Sequence, residues 1–459
     1  MIAFPLGATT TSAELARDPH PRLAELRAHE PVSWLPALNG WLVTRRDLAL
    51  DVMRDAETFT VDDPRFTTAQ VVGPSMLSLD GAEHTRHREP FAAPFRPREV
   101  REGFAEFIEQ ETDRLLTALE PRGAAELRRD FAGPLAVAVV TKALGLVDAD
   151  TGTVLAWYEA IVRAVSDLTA GHTADPAGPE AYARLRAAVE TTVAKGAIAA
   201  EATTATEATA VAEATTATEA NAVAEVTTVA EANAVAGATA VAEGTAVAEA
   251  ATVAEAATVA EAATDAAAEV PTTSLLTAAA DRLTLPEVAS NAAVLMFGGI
   301  ETTEAMIANA LLHLLQHPDQ LALVRADSAL LDGAIEESLR LEPGAAVVDR
   351  YATRDTTLGR AAIRKGDLVT VSLAGANRDP AVFPDPDRFD VRRDNSRLQL
   401  AFAHGPHYCL AAHLARLETR IALRHLLDRL PALRLDPARP TAPQGLVFRK
   451  PPSLHVRWG

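Results

Sequence analysis

The sequence has a single cysteine in 459 residues, which excludes an intrachain disulfide and suits a reducing compartment such as the cytoplasm. Long apolar runs are also missing. No charge-free stretch of about 18 apolar residues occurs, and the first thirty residues carry no basic start followed by an apolar core. Neither a membrane anchor nor a signal peptide is therefore expected. Positive charge is in short supply: the formal net charge is −19, which argues against a nucleic-acid partner, because phosphate binding needs clustered cations. Lysine is scarce beside arginine and alanine is abundant, a composition typical of a high-GC bacterial gene. What is present is apolar material, 48% of the chain, enough for a large buried core.

The acidic excess is unevenly spread. Between Gly196 and Val270 there are twelve acidic residues and no basic one, so the rest of the chain carries only −7. This segment is a hexad repeat, with Glu at 201, 207, 213, 219, 225, 231, 243, 249, 255 and 261 and Gly237 in one slot. The filler is almost wholly Ala, Thr and Val. On a helix a step of six residues sends successive Glu side chains to different faces and leaves no apolar stripe. The phase from Val211 to Thr216 also has the period of a hexapeptide β-helix. Its small side chains favour the other reading, a low-complexity insertion, disordered or transiently helical and not catalytic.

The flanking segments, 1–195 and 271–459, read as mainly α with a small β portion. Val32 to Thr44 is expected to form a strand pair turning at Asn39-Gly40. Apolar spacing is then mainly helical as far as Val193. Thr284-Leu285-Pro286-Glu287 is a capping box with Pro in the first turn, and it opens a helix running to Leu315, where His317-Pro318 stops it. Beyond Thr353 come short strands and loops, then a helix from about Leu410 to Leu430.

The one cysteine lies in Phe402-Ala403-His404-Gly405-Pro406-His407-Tyr408-Cys409-Leu410-Ala411, a tight loop feeding into a helix. A thiol at a helix N-terminus has its anion favoured by the dipole and free N–H groups. A thiolate is the electron-donating axial ligand that a ferric heme needs. From this loop His407 could hydrogen-bond a heme propionate and Phe402 could cover the sulfur. A lone cysteine is more often a buried structural residue, but its surroundings point elsewhere. The loop closely resembles the heme-binding signature of the cytochrome P450 family, Phe-x-x-Gly-x-(His or Arg)-x-Cys-x-(Gly or Ala). Phe402, Gly405, His407, Cys409 and Ala411 match it, and Leu414 to Glu418 resembles the usual continuation. Ala403 departs from the commoner Gly, which disfavours a positive φ there.

Other motifs occur in the order that resemblance implies. Gly298-Gly299-Ile300-Glu301-Thr302-Thr303 places two glycines inside the long helix, each costing about 1 kcal/mol relative to Ala. It is similar to the family's oxygen-activation motif, with Glu301 and Thr302 as the acid–alcohol pair. Glu337 and Arg340 resemble the family's buried pair, with Arg388 of Phe383-Pro384-Asp385-Pro386-Asp387-Arg388-Phe389 as the expected third member. His84 and Arg88, four apart on a helix, and Arg350 resemble its propionate-binding residues.

The resemblance implies one large cytochrome P450 domain built from 1–195 and 271–459, interrupted by the insertion 196–270. It implies heme b (iron protoporphyrin IX) on Cys409, with His84, Arg88, Arg350, Phe402 and His407 around it. The implied activity is a monooxygenase acting on a lipophilic small molecule. Its pocket is expected along Val71 to Leu77, Ala160 to Val193, Leu295 to Gly299 and Ala345 to Val348. Electrons are expected from a ferredoxin or flavodoxin with its reductase, docked on Arg86, Arg88, Arg416 and Arg420. The alternatives are a peroxide-driven peroxygenase sharing Cys409 and a non-enzymatic, repeat-bearing interaction protein.

Overall fold

The computed structural model describes residues 4–146, 149–169, 173–198 and 275–459. The hexads from residue 199 onward therefore lie outside the described residues. The chain divides into two compact units, Met1–Glu190 with Ala278–Gly459 as one and Thr191–Thr277 as the other. The account that follows concerns the first.

Its centre is the helix Leu285–Gln316, 32 residues and about 48 Å long. The Glu287 carboxylate accepts the backbone N–H and the hydroxyl of Thr284, each at 2.9 Å, so the expected start is made by the box's backward arm. Its end falls at His317, one residue before Pro318 opens the next helix. The helix is buried on nearly every side, as its all-round apolar character requires. Around it pack the helices Gly133–Leu144, Leu330–Leu341 and Ala412–Arg429, and the last of these also packs on Pro97–Leu119.

Strands form one five-stranded sheet beside these helices and two smaller sheets. The large sheet runs in the order β1 (Val32–Leu35), β2 (Gly40–Val43), β8 (Leu368–Ser372), β5 (Val347–Ala352) and β3 (Phe59–Thr60). The expected hairpin is present, with Leu35 opposite Gly40, Trp34 opposite Trp41 and Asn39 at φ 47° in the turn. Among the described strands only the β2–β8 pairing is parallel, which brings two distant parts of the chain together. β4 (Ala124–Glu126), β10 (His455–Arg457) and β9 (Arg434–Leu435) make the second sheet, and β6 (Thr356–Leu358) with β7 (Ala361–Ile363) the third. Strands of two or three residues, such as β3 and β4, are too short to show a period of two in sequence. Among the described residues no helix is long and apolar enough to cross a membrane.

Candidate functional site

The cysteine loop is a short 3₁₀ turn, Gly405–His407, followed by extended backbone, and the helix begins only at Ala412. Cys409 therefore stands three residues before the helix, not in its first turn. Its backbone N–H donates to the Phe402 carbonyl at 2.9 Å, which closes the loop. Gly405 has φ +74°, and a Cβ there would lie 2.4 Å from the Met53 carbonyl oxygen, so only glycine fits. Ala403 adopts φ +57° despite its side chain, so the departure from Gly leaves the loop's shape intact at a cost of about 1–2 kcal/mol. Cys409 is deeply placed and still keeps some accessible surface. Burial pushes its thiol up, opposed by the Ala411 N–H and by Arg88 and Arg416. The expected stabilisation of the anion is present, but desolvation outweighs it.

Basic groups gather next to the loop. The rings of His84 and His407 lie 4.4 Å apart, and the Arg88 guanidinium donates to the Tyr408 carbonyl at 2.5 Å. Burial, together with the positive charge of His407 and Arg88, pushes His84 down to about 4. Its Nε2 is buried without a hydrogen-bond partner among the described residues. Arg350 is 4% exposed and, among the described residues, donates only to the Asp349 carbonyl, at 2.7 Å. One carboxylate serves this cluster: Asp80 accepts His407 Nε2 at 2.8 Å, Thr60 Oγ1 at 2.7 Å and the Val61 N–H at 2.8 Å. Asp80 was not foreseen, because an acid at the start of a helix reads as an N-cap, a role its side chain does not take. Buried cations and an orphaned imidazole nitrogen call for a further anion. That is the environment heme propionates require.

On the long helix the two glycines have different reasons. A Cβ at Gly299 would come within 2.5 Å of Val140 Cγ2, so this position is a close helix–helix contact. A Cβ at Gly298 would meet nothing within 4 Å, and Gly298 is exposed in the middle of an otherwise buried helix. It borders an opening. Thr302, one turn on, donates its hydroxyl to the Gly298 carbonyl at 2.5 Å. Glu301 is engaged elsewhere. Tyr158 donates to one of its oxygens, and Lys450 Nζ lies 2.8 Å from the other. Among the apolar residues expected along the pocket, Leu77 and Leu295 keep partial exposure between buried neighbours, and Val348 is half-buried in its strand.

The family profile described as Cytochrome P450 matches residues 260–456. Cytochrome P450 monooxygenase PikC of Streptomyces venezuelae is 32% identical over 97% of this chain and 92% of its own length. The chain belongs to the cytochrome P450 family. Cytochrome P450 107B1 of Saccharopolyspora erythraea is also 32% identical, over 92% of this chain and 89% of its own. Among solved structures, that of P450BioI in complex with hexadec-9Z-enoic acid ligated acyl carrier protein superposes with a TM-score of 0.74 at 26% identity, covering 97% of this chain and all of that one. The mainly helical P450 fold, the heme b cofactor of the family and the monooxygenase class of the enzyme follow from these relationships.

Within the P450 frame two expectations need correcting. Arg340 makes a two-pronged bond to Glu337, 2.8 Å on each side, with both side chains fully buried. The third member is Arg393, whose Nε lies 2.9 Å from Glu337 Oε1. Arg388 contributes its backbone carbonyl to both arginines and turns its guanidinium out to Asp390. Asp385 has φ 47°, and the carbonyls of Pro384 and Asp385 accept the Arg393 guanidinium. The expected docking cations also differ. Arg86 is bound by Glu83 and Glu287, and Arg88 is spent on the Tyr408 carbonyl. Arg416 and Arg420 instead line a groove of about 330 Å³ with Arg101, Arg397 and His413. Within the groove Arg416 pairs with Glu336 and Arg420 with Asp332, which leaves Arg101 and Arg397 without an ion pair among the described residues.

Proposed function

We propose that this P450 inserts one atom of dioxygen into a lipophilic small molecule, using electrons from a separate ferredoxin- or flavodoxin-type partner. The observation that carries the reading is the opening at Gly298. There the largely buried middle of the helix exposes bare backbone and the Thr302 hydroxyl. A peroxide-driven enzyme does not need an alcohol and an acid at that place to manage protons.

Cys409 would bind the iron as its one protein ligand. His84, Arg88, Arg350 and His407 would hold the propionates, and Phe402 would shield the sulfur. When bound, the heme supplies reductive activation of dioxygen, which a thiolate ligand favours. The chain's own residues do the rest. Arg416 lies over the Phe402 ring at 4.3 Å and is fixed by Glu336, so the shield over the sulfur is held from below. Thr302 presents a hydroxyl at the opening, and Glu301, adjacent in sequence and held by Tyr158 and Lys450, is the acid that would supply its proton. Apolar side chains around the opening exclude water and favour an apolar substrate. The groove with Arg101 and Arg397 suits an acidic electron donor.

The deciding experiment is the carbon monoxide difference spectrum of the dithionite-reduced protein, for wild type and Cys409→Ala. A strongly red-shifted Soret band, lost in the variant, supports thiolate ligation. A band typical of histidine-ligated heme rejects it. Turnover with ferredoxin and reductase, compared with turnover on peroxide alone, separates the monooxygenase from the peroxygenase.

A further inference from the structure

The loop after Gly73, expected along the pocket, is tied to the long helix by one buried amide. From Ser75 to Ser78 three of the four backbone N–H groups are bonded within the turn. Ser75 donates to Ser78 Oγ at 3.1 Å, Leu77 to Ser75 Oγ at 3.3 Å and Ser78 to the Ser75 carbonyl at 3.0 Å. The fourth, that of Met76, donates at 2.8 Å to Asn291 Oδ1, 215 residues away. Asn291 Nδ2 donates to the Glu287 carbonyl at 2.8 Å and lies 3.0 Å from His87 Nδ1. A backbone N–H only donates, so the amide oxygen has to face Met76 and its nitrogen His87. One side chain thus joins the loop, the long helix and the helix Gly81–Ala92.

Asn291 is 0% exposed and His87 2%, so neither presents a surface to a substrate. Their neighbours do. Leu77, next to Met76 in the turn, keeps partial exposure. Leu295 and Gly298 follow Asn291 by about one and two helical turns. The long helix also meets the start of the loop, where a Cβ on Gly73 would lie 3.2 Å from Ser290 Oγ. Burying a polar amide is costly unless its hydrogen bonds are made, and here they are made to fix one arrangement of three elements.

We propose that Asn291 is a positioning residue that fixes the width of the substrate pocket, by clamping the Met76 N–H, and with it Leu77, to the helix that carries Leu295 and Gly298. Without the clamp the loop loses its one N–H bond to the long helix, and a ligand that touches Leu77 has to order the loop as it binds. Because Asn291 is fully buried, replacing it alters the pocket only through the loop. The inference rests on the apolar pocket proposed above.

Two probes test it in the heme-loaded protein, imidazole and 4-phenylimidazole, each titrated against the Soret band. Both bring the same nitrogen to the iron, and only the second carries a ring into the pocket. In wild type, burial of that ring should make 4-phenylimidazole bind about tenfold or more tighter. Asn291→Leu keeps the size of the side chain and removes the clamp. It is expected to cut that preference about fivefold or more, the scale of a buried donor left unpaired. Its affinity for imidazole should match wild type, and amide hydrogen exchange at residues 74–78 should be faster. Asn291→Asp keeps an oxygen for the Met76 N–H and should keep both the preference and the slow exchange. Heme content and the carbon monoxide spectrum confirm the fold, and Asn291→Ser, too short to reach Met76, serves where Asn291→Leu does not fold. Wild-type preference in Asn291→Leu overturns the proposal, even where exchange is faster, and so does an equal loss of preference in Asn291→Asp. If wild type itself binds the two azoles alike, the apolar pocket fails and the inference fails with it.

Discussion

His313 is enclosed on all sides, with Nδ1 2.9 Å from Ser338 Oγ and its ring stacked on Phe389. Burial pushes it down to about 3, from an ordinary value of 6.5. Its folded-state affinity for a proton is below that of the unfolded chain, so the unfolded state takes up the proton first as pH falls. Stability is lost as pH drops from 6.5 toward about 3, by at most about 1.4 kcal/mol per pH unit from this residue. His313→Gln, which keeps a partner for Ser338, should flatten that slope in unfolding free energies measured from pH 7 to 4. An unchanged slope would assign the acid sensitivity to other groups, His84 first. The glycine pair gives a second comparison at this scale. Gly299→Ala pushes a methyl against Val140 and should cost about 1–3 kcal/mol in thermal or denaturant unfolding. Gly298→Ala meets no neighbour and gains up to about 1 kcal/mol of helix propensity. It should melt no lower than wild type and still turn over more slowly, because its methyl occupies the opening beside Thr302. Equal losses of stability at both positions would mean that Gly298 is also a packing contact.

Elements meet at this site through side chains that reach between them, and the Glu337 cluster is the clearest case. Arg393→Ala removes one of two cations from a fully buried carboxylate and frees the turn that follows Asp385. A loss of about 3–5 kcal/mol is expected, with lower heme content on purification. Arg388→Ala removes only an exposed guanidinium and should stay within about 0.5 kcal/mol of wild type. The opposite ranking would restore Arg388 to the cluster. Both arginines sit in one Pro-rich loop, and nothing in residue order says which of them turns inward. That marks the general limit of the sequence here. The long helix, its boundaries and the cysteine loop were legible because each is fixed by residues close together: Thr284 with Glu287, His317 with Pro318, Phe402 with Cys409. The partners of the site residues were not. Asp80 reaches His407 across 327 residues, and Lys450 reaches Glu301 from the far end of the chain. Such pairs depend on how helices and strands are laid side by side, and no local spacing encodes that.

Over the whole molecule the larger share of the net negative charge lies apart from the chemistry. Twelve of the chain's acidic residues fall between Gly196 and Val270, while His84, Arg88, Glu301, Thr302, Arg350, His407 and Cys409 all belong to the unit Met1–Glu190 with Ala278–Gly459. We propose that 196–270 is an insertion into one P450 domain made of 1–195 and 271–459. Joining the flanks through a short flexible linker should then leave heme content and the carbon monoxide spectrum unchanged, and loss of heme would show the segment to be part of the domain. Charge supplies a further consequence. A net charge of −19 repels an acidic electron donor at long range, so docking has to rely on a local field such as that of the Arg101 and Arg397 groove. Deletion brings the net charge to −7 and weakens the repulsion without touching the groove. Stopped-flow reduction by an acidic ferredoxin should therefore be faster in the deletion variant at low salt. The advantage should vanish once the Debye length falls to about 3 Å, near 1 M salt. Arg101→Glu with Arg397→Glu should slow reduction in both proteins. If charge reversal there leaves the rate unchanged, the electron donor docks elsewhere, whatever the insertion does.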